Sequence, residues 1–165
     1  MIKTAKKLFL RAAAFSTAMT FIFSMNGCLT SKKRDYDGAK FTYKVNADNT
    51  LTITGVDSGG NDLAAIKVPR TIDSKTVTVI GKNAFAQSMH KMGDEKSIIV
   101  LPDTITKIEE YAFEFSSIND INIPDSVQEI EAYAFSNSSL DEVMLSRNTK
   151  VAEKAFSDRV NIIYR

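Results

Sequence analysis

Residues 98–140 read IIVLPDTITKIEEYAFEFSSINDINIPDSVQEIEAYAFSNSSL, and laid over themselves they match. Pro102 recurs as Pro124 and Phe113 as Phe135, each 22 residues on. Between them the pattern apolar-Pro-Asp-x-apolar-x-x-Ile-Glu-x-Tyr-Ala-Phe is stated twice. A period in the twenties predicts stacked coils, in which each unit covers the apolar face of its neighbour.

Working outward, the same unit is found on both sides. An earlier copy opens at Leu63, Ile66 and Val68-Pro69 and closes at Val77, Ile80 and Ala84-Phe85, with extra residues near Asp73-Ser74-Lys75. A later copy runs through Leu140, Val143, Leu145, Val151 and Ala155-Phe156; it lacks the proline, and Phe156 comes 21 residues after Phe135. Residues 160–165, VNIIYR, form a last strand. In each copy apolar-x-apolar is a short strand with one buried face. Proline follows where the strand stops donating to a ladder. Phe85, Phe113, Phe135 and Phe156 are expected to stack as a spine.

Before the repeats, Phe41-Thr42-Tyr43-Lys44-Val45 and Leu51-Thr52-Ile53-Thr54 alternate apolar and polar around Asn46-Ala47-Asp48-Asn49. Alternation with β-branched and aromatic residues gives strands, and the Asn/Asp cluster gives the turn between them. A hairpin over 41–62 is the expected cap, because an open first coil would expose core side chains and strand edges.

The chain has 165 residues, 44% of them hydrophobic, enough for one domain with a core. Its 21 cations against 20 acids provide no basic field for nucleic acid. Four of those cations, Lys3, Lys6, Lys7 and Arg11, precede the apolar run 12–25, which is shorter than the roughly 20 residues of a membrane span. This is the pattern of a secretory signal peptide over 1–27. The only cysteine, Cys28, follows in Ser24-Met25-Asn26-Gly27-Cys28, which resembles a bacterial lipobox, with Met25 and Asn26 departing from the usual residues. The resemblance implies lipidation of Cys28 and an exported lipoprotein anchored in a bacterial cell envelope and exposed on its surface. The alternative is an ordinary secreted protein with a stray thiol. Residues 28–40 are polar and read as a lipid-proximal linker.

The repeated LPxxIxxIxxxAF unit resembles the BspA-like class of leucine-rich repeat proteins over about residues 41–165. The resemblance implies a mainly β fold, a leucine-rich-repeat solenoid of about four coils over 63–165 with the N-terminal β-hairpin cap. It also implies a surface module that binds a protein or extracellular-matrix partner, with no catalysis and no cofactor. The sequence departs from the family where a glycine is usual after the second Ile: Gly81 fits, but Glu109, Glu131 and Ala152 do not.

In such repeats the residues between buried strand positions point outward on one face. They are Ala65 and Lys67, Ile98 and Val100, Asp120 and Asn122, Glu142 and Met144, with Ile162 and Tyr164 continuing the stripe. Ile98, Val100, Asn122, Met144 and Tyr164 are the candidate partner-binding residues, since apolar residues at outward positions mark contacts. A strand register displaced by one would instead bury them. Five strands at about 4.8 Å, each about 12 Å tall, give on the order of 300 Å². A standard interface uses about 800 Å² per partner. The second candidate is the insertion 86–96, where Met89, His90 and Met92 are candidate loop contacts; a solvated excursion is the plainer reading. His90 with Asp94 and Glu95 is not a closed metal-ligand set.

No G-x-S-x-G, Walker loop or H-E-x-x-H occurs in the sequence. The carboxylate pairs Glu109-Glu110 and Glu129/Glu131 recur with the repeat, which favours a solvated face over a unique active site. Against the binding module stands a different class: a structural, self-associating or cell-wall-associated envelope component.

Overall fold

The protein is seen in a computed structural model that describes residues 32–36, 39–57, 65–86 and 97–165. Cys28, the signal segment and, apart from Ala86, the insertion with Met89, His90 and Met92 lie outside the described residues. The described chain is built of strands: β1 (Lys32–Tyr36), β2 (Ala39–Val45), β3 (Leu51–Asp57), β4 (Ala65–Lys67), β5 (Thr71–Ile72), β6 (Lys75–Ile80), β7 (Ser97–Val100), β8 (Lys107–Ile108), β9 (Ile118–Asn122), β10 (Glu129–Ile130), β11 (Glu142–Leu145), β12 (Lys150–Val151) and β13 (Asn161–Tyr164).

Each coil contributes one front strand and one back strand. The back strands join the cap in one long sheet, β1-β2-β3-β6-β8-β10-β12. The first pairings are antiparallel, and from β3 onward every neighbour is parallel. The cap is therefore continuous with the solenoid, and β3 supplies the ladder on which β6 builds. On the front, β4-β7-β9 form one ladder and β11-β13 another. The front face anticipated as a single run of five strands is thus divided, with no ladder between β9 and β11 among the described residues.

The core lies between front and back. Ile66, Ile99, Ile121 and Val143 line the front, and Ile80, Ile108 and Ile130 line the back, all buried. The phenylalanine spine forms as the repeat predicts. Centroids of Phe85–Phe113, Phe113–Phe135 and Phe135–Phe156 are each 4.8 Å apart, with interplanar angles falling from 23° to 6° to 1°. That spacing is the strand-to-strand spacing of a sheet, so rings and backbone share one rise. The alanine before each ring permits it: the N–H groups of Phe85, Phe113 and Phe135 donate to the carbonyls of Ala112, Ala134 and Ala155 in the next coil, at 2.7 Å each. Phe41 of the cap meets Phe85 at 6.5 Å, tilted by 59°, and closes the spine.

The residue before each Ala-Phe is left-handed: Asn83, Tyr111, Tyr133 and Lys154 have φ of 58°, 59°, 59° and 61°. Asparagine accepts this conformation readily; for a tyrosine it costs roughly 1–2 kcal/mol. Tyr111 and Tyr133 offset part of that cost by stacking at 5.3 Å, and Lys82 lies 5.1 Å from the Tyr111 ring centroid. The extra residues at Asp73-Ser74 make the tight turn between β5 and β6, both with positive φ, and Asp73 accepts a 2.7 Å hydrogen bond from the Tyr43 hydroxyl.

The N-terminal boundary differs from the sequence reading. Residues 28–40 were expected to be linker, with the cap beginning at 41. Instead β1 pairs antiparallel with β2 from Lys32↔Tyr43 to Tyr36↔Ala39, so the cap has three strands. Apolar alternation could not reveal a strand of sequence KKRDY. The readable signal was Asp37-Gly38, a dipeptide favoured between hairpin strands.

Candidate functional site

The front face presents two rows of outward side chains. Strand alternation sets them, and ladder register aligns them. In the first row Ala65 pairs with Ile98 and Ile98 with Asp120; in the second Lys67 pairs with Val100 and Val100 with Asn122. One coil on, Glu142 and Met144 occupy the equivalent positions, flanking the buried Val143. They pair with Asn161 and Ile163. The register read from sequence holds for β4, β7, β9 and β11. Ile98 and Val100 are half-buried, Asn122 is exposed, and Met144 is 46% exposed.

It does not hold for β13. Tyr164 pairs with the buried Leu145 and Ile162 with the buried Val143, so both belong to the inward set. Tyr164 is 45% exposed because no further strand pairs beyond β13 among the described residues. The stripe continues instead through Asn161 and Ile163, the latter 37% exposed. The step from Val143 to Ile162 is 19 residues, three short of the period, and the repeat alone gave no warning of the slip.

Several of the repeat's charges are matched across coils. Lys82 Nζ meets Glu110 at 2.7 Å, and Arg70 pairs with Asp103. Lys107 Nζ meets Glu131 at 2.6 Å and Glu129 at 3.0 Å, and Arg165 meets Asp125 at 2.7 Å. Hydrogen bonds to Glu131 and then Glu129 push the Lys107 ammonium up to about 12. Burial works to raise Glu131, but the bonds from Lys107 and from the Glu110 N–H outweigh it and the carboxyl ends below its usual value. On the front face, Asp120 has no cation paired with it among the described residues, and Glu142 is bound only by the neutral Asn161 amide at 3.1 Å.

The recurring carboxylates of the back face have structural work. Glu109 accepts from the Lys82 N–H, and Glu131 from the Glu110 N–H, each at 2.9 Å. Each reaches back one coil and ties down a turn. Gly81 stands at the same place in the first coil, where a Cβ would come within 2.6 Å of the Ile53 carbonyl oxygen on the cap. In the last coil the place falls to Ala152. There an open hollow of about 260 Å³ remains, lined by Glu110, Glu129, Glu131, Ala132 and Ala152. These carboxylates hold lysine or backbone, and none forms an unmatched acid–base pair. Among the described residues no three His, Cys, Asp or Glu side chains are grouped to hold a metal, and no helix is long and apolar enough to cross a membrane.

A family model described as the BspA type leucine rich repeat region (6 copies) matches residues 62–164. Solved structures share the fold. A leucine-rich repeat protein from Bacteroides capillosus is 22% identical, with a TM-score of 0.60 over 79% of this chain and 97% of that one. The pneumococcal vaccine antigen PcpA is 22% identical, with a TM-score of 0.59 over 84% of this chain; the match spans only 39% of that larger protein. A leucine rich cell surface protein from Faecalibacterium prausnitzii is 22% identical, with a TM-score of 0.55 over 81% of this chain and 43% of that one. No curated relative matches the sequence. At this identity the likeness is one of fold.

Proposed function

The chain belongs to the BspA-type leucine-rich repeat family, and from that premise we propose that it is a non-catalytic binding module of a bacterial cell envelope, engaging a protein or matrix partner through its front face. The observation that carries the proposal is the pair Met144 and Ile163, 46% and 37% exposed, side by side on a sheet face that no other element covers among the described residues. Exposed apolar side chains on a uniform scaffold favour contact with a partner. The similarity to a cell surface protein of the same fold supports an envelope location. The lipobox-like run ending at Cys28 supports a lipid anchor, in which each buried methylene contributes about 0.8 kcal/mol. A face of on the order of 300 Å² gives weak single-site binding, which many anchored copies would strengthen through avidity.

Self-association is the less favoured reading. The feature that would serve it is β13, which pairs only with β11 among the described residues and so leaves a strand edge.

The test has two arms. Intact mass of the mature protein should show a start at Cys28 with added acyl mass; an unmodified soluble product removes the anchor. Saturable binding of the full chain to matrix-coated surfaces should fall in Met144→Ser/Ile163→Ser; binding that survives that change excludes the front face.

A further inference from the structure

We propose that the front face across β9, β11 and β13 receives a short extended peptide segment bearing a basic side chain and, two residues along, an apolar one. The inference rests on the reading of this chain as a binding module and names the chemistry of its partner.

Asp120 and Glu142 occupy equivalent positions on neighbouring coils, and Met144 and Ile163 lie in the adjoining row. No lysine or arginine is paired with either among the described residues. A cation from outside can pair with them, as Lys107 does with Glu129 and Glu131 on the back. From Glu142 to Met144 is two residues along one strand, about 6.8 Å. An extended peptide lying along β11 has the same repeat on the side it turns toward the face. Its basic side chain then meets the carboxylate row while the side chain two places away covers Met144 and Ile163.

Area favours a segment over a folded domain, because even the roughly 300 Å² of all five front strands is well short of the 800 Å² or so that a stable protein pair needs on each side.

The experiment displays biotinylated Ser-Lys-Ser-Leu-Ser, four copies to a streptavidin, over the immobilised full chain. Comparators are Ser-Glu-Ser-Leu-Ser, Ser-Lys-Ser-Ser-Ser and Ser-Lys-Leu-Ser-Ser. The lysine–leucine peptide with alternate spacing should bind most tightly, each comparator at least about tenfold more weakly, and added salt should weaken binding. Asp120→Asn/Glu142→Gln and Met144→Ser/Ile163→Ser should each lower affinity about tenfold or more, with melting temperature confirming the fold. Lys82→Ser on the back should leave it unchanged. Equal binding of the glutamate peptide, indifference to the front-face variants, or no binding of the lysine–leucine peptide overturns the inference. If the peptides fail while matrix binding by the full chain is still lost in Met144→Ser/Ile163→Ser, the binding-module reading stands and this partner chemistry falls. If both assays fail, both fall.

Discussion

The step from the second coil to the third and the step from the third to the fourth have the same core and different edges. Both stack their phenylalanines at 4.8 Å, and both donate the Phe N–H to the next Ala carbonyl at 2.7 Å. The earlier step also has a glutamate rung, Glu131 on the Glu110 N–H, and a continuous front ladder in β7-β9. The later step has neither: Ala152 takes the rung position, and β9 and β11 do not pair. Even so, the later rings are the more parallel of the two, at 1° against 6°. The spine and back strands therefore set the coil rise, and the polar rungs and the front ladder decorate it. That leaves the front face free to vary without loss of fold.

The largest break in the comparison should come from the spine itself. Phe135→Ala removes a fully buried ring stacked on both sides and should cost about 3–5 kcal/mol. Phe156→Ala, at the partly open end, should cost clearly less, and urea melts of the two variants measure the difference. If the costs are equal, the last coil is as tightly held as the third and the contrast drawn here is wrong.

Next in size is Gly81→Ala. The Cβ would come within 2.6 Å of a backbone oxygen and 2.8 Å of Thr52 Cγ2, so the cap and first coil must part. A cost of about 1–3 kcal/mol is expected, as for an overpacked core site. Glu109→Ala at the equivalent place one coil on adds no atoms and should cost only the lost hydrogen bond, about 1 kcal/mol. A thermal melt that ranks these two in the reverse order would show that Gly81 is not kept by contact with the cap.

Much of this was legible in the sequence, and the reasons differ by element. The Phe spine, the buried front and back isoleucines and the outward set on β4, β7, β9 and β11 follow from a 22-residue period and strand alternation, both of which register apolar burial. β1 was hidden because its five residues carry no apolar alternation at all. Tyr164 was misassigned because the final step is shorter than the period, and one residue of slip exchanges the faces. The glutamates were seen to recur, but their use as inter-coil acceptors depends on which backbone N–H groups face them. The left-handed tyrosines run against residue preference and are set by the coil's geometry.

The Lys107–Glu129–Glu131 cluster gives the comparison a pH signature. Glu131 titrates below its usual 4.5 in the folded chain, so its contribution is complete above that value and lost as pH falls through the lowered one. Lys107 is raised from 10.5 to about 12, so its contribution is complete below 10.5 and lost as pH climbs toward 12. Between these limits the Lys107–Glu131 pair is fully formed. Glu131→Gln keeps an acceptor for the Glu110 N–H but removes the charge. It should lower stability by about 0.5–1 kcal/mol at neutral pH and flatten the acid limb of the melting profile. An acid limb unchanged by Glu131→Gln would place the titrating group elsewhere.

The smallest effect tests whether the missing rung can be supplied. Ala132 follows Glu131 as Glu110 follows Glu109, and its N–H has no partner among the described residues. Ala152→Glu puts a carboxylate where Glu131 stands one coil earlier, facing a hollow with room for it. A hydrogen bond of this kind contributes about 1 kcal/mol, but the new charge enters beside Glu110, Glu129 and Glu131 and gives part of that back. Ala152→Gln offers the same acceptor without the repulsion. Gln should therefore stabilise more than Glu at low salt, by a few tenths of a kcal/mol, and the two should converge as salt screens the carboxylates. If both variants destabilise the chain at every salt concentration, the fourth coil does not repeat the geometry of the third at this edge, and the rung is absent because its anchoring N–H is not presented.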